Sequence, residues 1–454
     1  MKHPAFFCLK SGPGYGLCAA LCALSGLGCG DGDQHPQVTT IATPDGGGVS
    51  GGPLGETLTV YALDANSGLP IANAYVSLGA GQAAHRVGQT GSDGRLVAAS
   101  LAGAPQMVSV NAPGYAAATW GLVKSAVVRI PLEAVTDPPP AATVALTIPG
   151  WNDLPALPEG SYRVARFAFA RPRGLETLEA TLASAGPECM QAETPTDCAV
   201  TLSVPAGSSS LLAVIAEGRD AGTPRDRTDD ILAVTALGIQ TGLELHEGAR
   251  SELSLPLMDH TSVAPATLIT TLPRGSQFQD VIGVPGVSLD GQILLYPSLG
   301  PMATSFLVPT ATGAFVNAKL WAVGTADQGG DGAAWSRVYE RGIDPPKSES
   351  EAIDLSTSAF IDSPSCQKLG PNAYSLRSEG NLTRLELVTP SGEQLNVLLF
   401  PTQSEFEIPA GVLDAEPSSL TVESFDLELD SNAFDFADLA RQSTRIAYFR
   451  NDAL

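Results

Sequence analysis

Apolar and polar residues alternate along most of this chain in short runs, which Gly, Pro, Asn and Asp interrupt. Alternation of period two, bounded by turn residues, is the signature of half-buried β-strands. The first part of the chain predicts strands over 57–63, 69–78, 88–97, 107–111 and 127–132. Asp93-Gly94 reads as a type I′ hairpin turn, which needs positive φ at both central residues. Further strands follow over 143–148, 162–170, 199–204, 211–216, 231–237 and 251–257. A third group covers 267–271, 292–296, 305–308, 319–323 and 335–339, and a fourth 373–377, 382–388, 395–400 and 406–408. Residues 175–185 carry helical spacing, with Leu175, Leu178 and Leu182 on one side. The tail predicts a turn or two of helix over 432–442, through Phe434, Ala437 and Leu439, and a last strand over 445–450.

Three places share an order of features. Leu202-Ser203-Val204-Pro205 precedes the apolar run 211–216, as Phe306-Leu307-Val308-Pro309 precedes 320–323 and Phe406-Glu407-Ile408-Pro409 precedes 420–425. The spacing is irregular, so this is a weak repeat of immunoglobulin-like sandwiches, with convergent strand-and-proline chemistry as the alternative.

The first residues change the compartment. Lys2, His3 and Lys10 form a basic start, and an apolar run over 17–27 is too short to span a bilayer. Residues 1–28 therefore read as a secretory signal. Ser25-Gly26-Leu27-Gly28-Cys29 resembles the lipobox of bacterial lipoproteins, although Gly26 stands where that family prefers Leu. The resemblance implies lipidation of Cys29 and a membrane anchor in the cell envelope, at the outer membrane or cell surface; plain secretion is the alternative. Residues 29–55, rich in Gly, then read as a flexible tether.

Composition narrows the partners. The 454 residues carry 25 Lys+Arg against 48 Asp+Glu, a net charge of −23. Removing 1–28 takes away Lys2 and Lys10 and no acid, so the body carries 23 − 48 = −25. That sign excludes nucleic acid as a partner, because phosphate binding needs a basic face. Of seven Cys, three lie in the signal, one is Cys29, and Cys189, Cys198 and Cys366 remain. Cys189 and Cys198 flank a short polar stretch and read as a disulfide in an exported protein, with Cys366 left over.

One stretch resembles a known module. Ser67-Gly68-x-Pro70-Ile71-Ala72-x-Ala74-x-Val76, then Thr90-x-x-Asp93-Gly94-x-Leu96, Gly114-Tyr115 and Val128-x-Ile130-x-Leu132 resemble the carboxypeptidase regulatory-like domain. The resemblance implies a transthyretin-like β-sandwich over 56–135, grouped with carbohydrate-binding-like folds and performing no chemistry. A Pro-rich linker over 136–142 follows, then β-sandwich modules over 143–260 and 261–365, and a C-terminal β module with a short helix over 366–454. The expected fold class is all-β, with tandem transthyretin-like or immunoglobulin-like sandwiches.

Chemistry is sparse. Neither a zinc-carboxypeptidase pattern, H-E-x-x-H, nor a P-loop occurs. Gly48-Val49-Ser50-Gly51-Gly52 matches G-x-S-x-G, but no strand–helix pair frames it, so it is no nucleophile elbow. No catalytic residue and no cofactor is expected. Asp226, Asp229, Asp230, Asp327 and Asp331 are weak calcium candidates without the order of a binding loop. Among Trp120, Trp151, Trp321 and Trp335, Trp151 in Pro149-Gly150-Trp151-Asn152-Asp153 is the candidate for stacking on a ligand. The chain thus reads as a non-enzymatic envelope lipoprotein whose modules act as spacer or protein-interaction scaffold. The alternative is an exported carbohydrate-binding protein.

Overall fold

The computed structural model describes residues 46–451, except 66, 100–103, 136–140, 171–188, 192–197, 220–230, 270–277, 279, 290–291, 298–304, 328–333, 347–350, 356–359, 401–402, 431, 437–438 and 440–441. The fold is all-β and built of sandwiches, as the alternation predicts. The signal, Cys29, the helical pattern over 175–185 and most of the Pro-rich stretch lie outside the described residues.

The first module comprises β1 (Gly48–Pro53), β2 (Thr57–Asp64), β3 (Tyr75–Leu78), β4 (His85–Gln89), β5 (Arg95–Ala99), β6 (Gln106–Asn111), β7 (Ala117–Val123) and β8 (Ser125–Leu132). The second comprises β9 (Ala141–Ile148), β10 (Ser161–Ala170), β11 (Cys189–Gln191), β12 (Cys198–Pro205), β13 (Gly207–Arg219), β14 (Ile231–Leu245) and β15 (Arg250–Ser254). The third comprises β16 (Val263–Ile269), β17 (Asp280–Leu289), β18 (Gln292–Leu295), β19 (Ser305–Pro309), β20 (Lys319–Asp327), β21 (Ala334–Ile343) and β22 (Glu351–Asp354). The fourth comprises β23 (Ser365–Gly370), β24 (Ala373–Arg377), β25 (Leu382–Val388), β26 (Gln394–Leu399), β27 (Glu405–Glu407), β28 (Ser419–Asp426), β29 (Phe434–Asp435) and β30 (Arg445–Asn451).

One seven-strand plan recurs. In the small sheets, β2 pairs antiparallel with β5 and parallel with β8. In the same way β9 pairs with β12 and β15, and β16 with β19 and β22. The facing strands run in the matching orders β4-β3-β6-β7, β11-β10-β13-β14 and β18-β17-β20-β21. The fourth module follows with β26-β25-β28-β30 and the pair β24–β27, but β23 takes the place of the seventh strand and runs antiparallel. The sequence echoes fall on one step of this plan, the crossing from fourth to fifth strand: β12 to β13, β19 to β20 and β27 to β28. Recurrence of the first six strands in the same order makes these echoes a repeat.

The modules fuse through their sheets. A single twelve-stranded sheet runs β18-β17-β20-β21-β30-β28-β25-β26-β7-β6-β3-β4. It crosses from third to fourth module at β21–β30, antiparallel, and from fourth to first at β26–β7, parallel, with Leu395 opposite Ala117 and Leu399 opposite Gly121. Around β7 both faces of this sheet are buried, which explains why β7 reads as a nearly continuous apolar run rather than an alternating one. One face packs Val108, Trp120, Leu398, Phe425 and Ile446 toward the five-stranded sheet β29-β1-β8-β2-β5. The other packs Ala117, Leu385, Val397 and Val422 toward Tyr374 and Phe406 of β23-β24-β27.

The second module joins by packing. The sheet containing β10 and β13 buries Phe167, Leu211 and Ile215 against its own partner sheet. Its other face buries Val164, Leu212 and Val214 with Leu268, Phe306 and Leu320 of the third module.

Three expectations are corrected. The tether does not extend to 55, because Gly48–Pro53 is a strand paired on both sides. Asp93-Gly94 is no type I′ hairpin: Gly94 alone of the two has positive φ, and the strands around it, β4 and β5, enter different sheets. Phe434 lies in β29 rather than a helix; the helical turn comes later, where the Ser443 amide donates to the Leu439 carbonyl at 3.0 Å.

Candidate functional site

The four tryptophans are not a ligand platform. Trp120, Trp151, Trp321 and Trp335 are all buried, Trp151 at 1% exposure. The Gly150 turn forms as its residues predict, with Gly150 at φ 76° opening a single 3₁₀ turn over Trp151–Asp153. The ring folds inward into the second module's core, beneath Arg163, whose guanidinium carbon sits 6.0 Å from the ring centre. Arg163 is itself buried and donates to the Pro155 carbonyl at 2.6 Å and to Glu217 Oε1 at 2.5 Å. Trp151 is therefore an apolar neighbour of a partly buried ion pair, not an exposed stacking residue, and the carbohydrate reading loses its named residue.

The other candidates divide. Asp226, Asp229, Asp230 and Asp331 lie outside the described residues, and Asp327 ends β20 opposite Trp335. Among the described residues, no three His, Cys, Asp or Glu side chains are grouped to hold a metal ion. Cys198 is disulfide-bonded and buried at the start of β12, and Cys189 begins β11 in the facing sheet; the side chain of Cys189 lies outside the described residues. Cys366 is a free thiol that burial pushes up to about 12. Tyr115 packs on the first module's core and donates to Asp64 Oδ2 at 3.1 Å, a structural role for the Gly114-Tyr115 pair.

A buried polar site lies where the first and fourth modules meet, and sequence reasoning missed it. Register carries one row across five strands: Tyr448 on β30, Glu423 on β28, Arg384 on β25, Leu398 on β26 and Trp120 on β7. The adjacent row holds Arg450, Thr421, Glu386, Asn396 and Ala118. Glu133, just past β8, reaches across to Arg384 at 2.9 Å and accepts from Asn396 Nδ2 at 3.4 Å. Arg384 is 4% exposed and Glu133 29%. Burial raises the affinity of Glu386 for its proton, opposed by Arg384 and Arg450 and reinforced by Glu133. A cavity of about 20 Å³ between Trp120, Phe436, Arg384, Glu133 and Asn396 has room for one water and none for a sugar ring. No signal in the sequence separates Glu133 from a linker residue, because its partner lies 251 positions away.

This arrangement can hold modules together; it presents neither a nucleophile beside a base nor an open polar cleft. Among the described residues no helix is long and apolar enough to cross a membrane.

No protein-family model matches the chain, and no curated protein matches it. Among solved structures it is similar to the TIE protein of Bacillus anthracis, at 11% identity and TM-score 0.16, covering 66% of this chain and 51% of that one. It is also similar to the shaft pilin SpaA of Lactobacillus rhamnosus GG, at 12% identity and TM-score 0.14, covering 46% of this chain and 98% of that one. For BcpA, the major pilin subunit of Bacillus cereus, the identity is 9% and the TM-score 0.15, with 68% and 99% covered.

Proposed function

We propose that this chain is a non-enzymatic scaffold or spacer of the bacterial cell envelope, exported by residues 1–28 and lipid-anchored through Cys29. The observation behind this reading is the sharing of one twelve-stranded sheet by three of four repeated sandwiches. Modules in one chain ordinarily move relative to one another unless their interface is large and apolar. Here roughly 50 Å of continuous ladder, at about 4.8 Å per strand step, removes that freedom. A body that stiff suits a part that sets distance or presents a surface. The regulatory-like resemblance of residues 67–132 supports the same reading, since that module does no chemistry. The acidic body, −25 without the signal, would be repelled by anionic lipid, which favours holding it away on the residues after Cys29. Labelling growing cells with a palmitate analogue tests the anchor: wild type takes up label and Cys29→Ala does not. Equal labelling removes the lipoprotein claim, and turnover of peptide or glycan substrates by the purified mature chain removes the non-enzymatic one.

A further inference from the structure

β1 stands outside the seven-strand plan. In the second and third modules the strands equivalent to β8, namely β15 and β22, are the last in their sheets. In the first module β8 is instead covered by β1, and β1 by β29 of the fourth module. β1 is thus dispensable to the sandwich topology, yet it is tightly fitted. Val49 is buried opposite Phe434, and the Phe436 amide donates to the Gly47 carbonyl at 3.0 Å. A Cβ on Gly47 would lie 2.8 Å from Pro131 Cγ and 3.2 Å from Phe436 Cβ. One on Gly48, at φ 151°, would collide with the Phe434 carbonyl oxygen. Glycine here answers close backbone approach rather than flexibility.

What the strand holds down is an aromatic cluster shared by two modules. Phe434 and Phe436 pack on each other at 6.0 Å, Phe436 stacks on Trp120 of the first module at 5.8 Å, and Phe434 meets Phe400 edge-on at 6.2 Å. We infer that the glycine-rich segment 46–53 is a clasp: it locks Phe434 and Phe436 of the fourth module onto the first, and so couples whatever pulls on the N-terminal side of the chain to the seam between the first and fourth modules. The clasp does not depend on Cys29 or on lipid.

Hydrogen exchange on the full chain tests it. Gly48→Val is expected to speed exchange of the Val49, Phe434 and Phe436 amides by about tenfold or more, while β2, β25 and β28 keep their protection. Gly55→Ala, whose Cβ meets nothing within 4 Å, serves as the control and leaves all of these unchanged. If Gly48→Val does not fold, Phe434→Ala reads the same coupling from the other side, loosening Val49 by a similar factor because coupling is reciprocal. Unchanged exchange at Phe436 in Gly48→Val, or at Val49 in Phe434→Ala, overturns the clasp. So does loss of protection spread equally through β2 and β8, which would make β1 an ordinary core strand.

Discussion

The rings of Trp335 and Tyr448 stack at 5.0 Å with 9° between their planes, directly opposite each other on β21 and β30. One belongs to the third module and the other to the last strand of the chain, so the stack sits on the joint between two modules. Aromatic pairs add about 0.5–1.5 kcal/mol beyond the area they bury. Tyr448→Ala is expected to cost about 3–5 kcal/mol and Tyr448→Leu clearly less, since Leu restores apolar volume without the stack. Urea denaturation of wild type and the two variants checks this; a Tyr448→Leu midpoint equal to that of wild type would mean the stack contributes nothing beyond bulk.

The ion pair of Glu133 and Arg384 bridges the other joint. Removing one partner of a buried pair exposes the other to an uncompensated environment, whereas replacing both with apolar residues can be neutral. Glu133→Gln and Arg384→Met alone should each destabilise, and the double variant by less than their sum. The interaction energy expected from such a cycle is about 1–3 kcal/mol, reduced toward the lower value by the partial exposure of Glu133. Additivity would show that the pair does not act as a unit.

Much of this architecture was legible in the sequence, and what was not has a physical reason. Strand existence followed from alternation, as in β2, where Leu58, Val60 and Ala62 point inward. The echo ending at Pro205 and Pro309 marked the same crossing in two modules. Strand partners were not legible, because a period-two pattern says which face is buried but nothing about which edge a strand joins. That is why Leu395–Leu399 gave no hint of lying beside Ala117–Gly121. Gly47 and Gly48 read as tether for a related reason: glycine at a close approach and glycine in a flexible segment look the same without the neighbour. Trp151 misled through its turn, which formed as expected while the ring packed into the second module's core with Ile148 and Phe167.

That correction is testable. Trp151→Ala is expected to destabilise the protein by about 3–5 kcal/mol, as for a buried aromatic truncated in a core. It should leave binding to a glycan array unchanged. Loss of glycan binding without loss of stability would restore the stacking role.

Cys366 provides a check on burial. A thiol pushed up to about 12 carries almost no thiolate near neutral pH, and the thiolate is the reactive form. In the folded protein its reaction with an aromatic disulfide reagent should be slower by orders of magnitude than in urea. Similar rates in both would place the thiol in solvent.

The seam between first and fourth modules should also respond to acid in an unusual direction. Glu386 faces Arg384 on its own strand, Asn396 on β26, Thr421 and Glu423 on β28, Tyr448 and Arg450 on β30, and Glu133 beyond β8. Burial, with Glu133 adding to it, raises its pKa above the ordinary 4.5 despite the two arginines. A carboxyl raised in the folded state binds its proton more tightly there than in the unfolded chain. Its ionisation therefore opposes folding: stability is lost as pH rises through the folded value and regained as pH falls toward 4.5. Glu386→Gln removes this dependence. The variant is expected to melt higher than wild type near neutral pH, with the gap closing on acidification and gone once the carboxyl is protonated in both states. Melting curves of the two proteins at a series of pH values give the answer. A gap that stays constant, or widens in acid, would mean that Glu386 is stabilised as a carboxylate by Arg384 and Arg450.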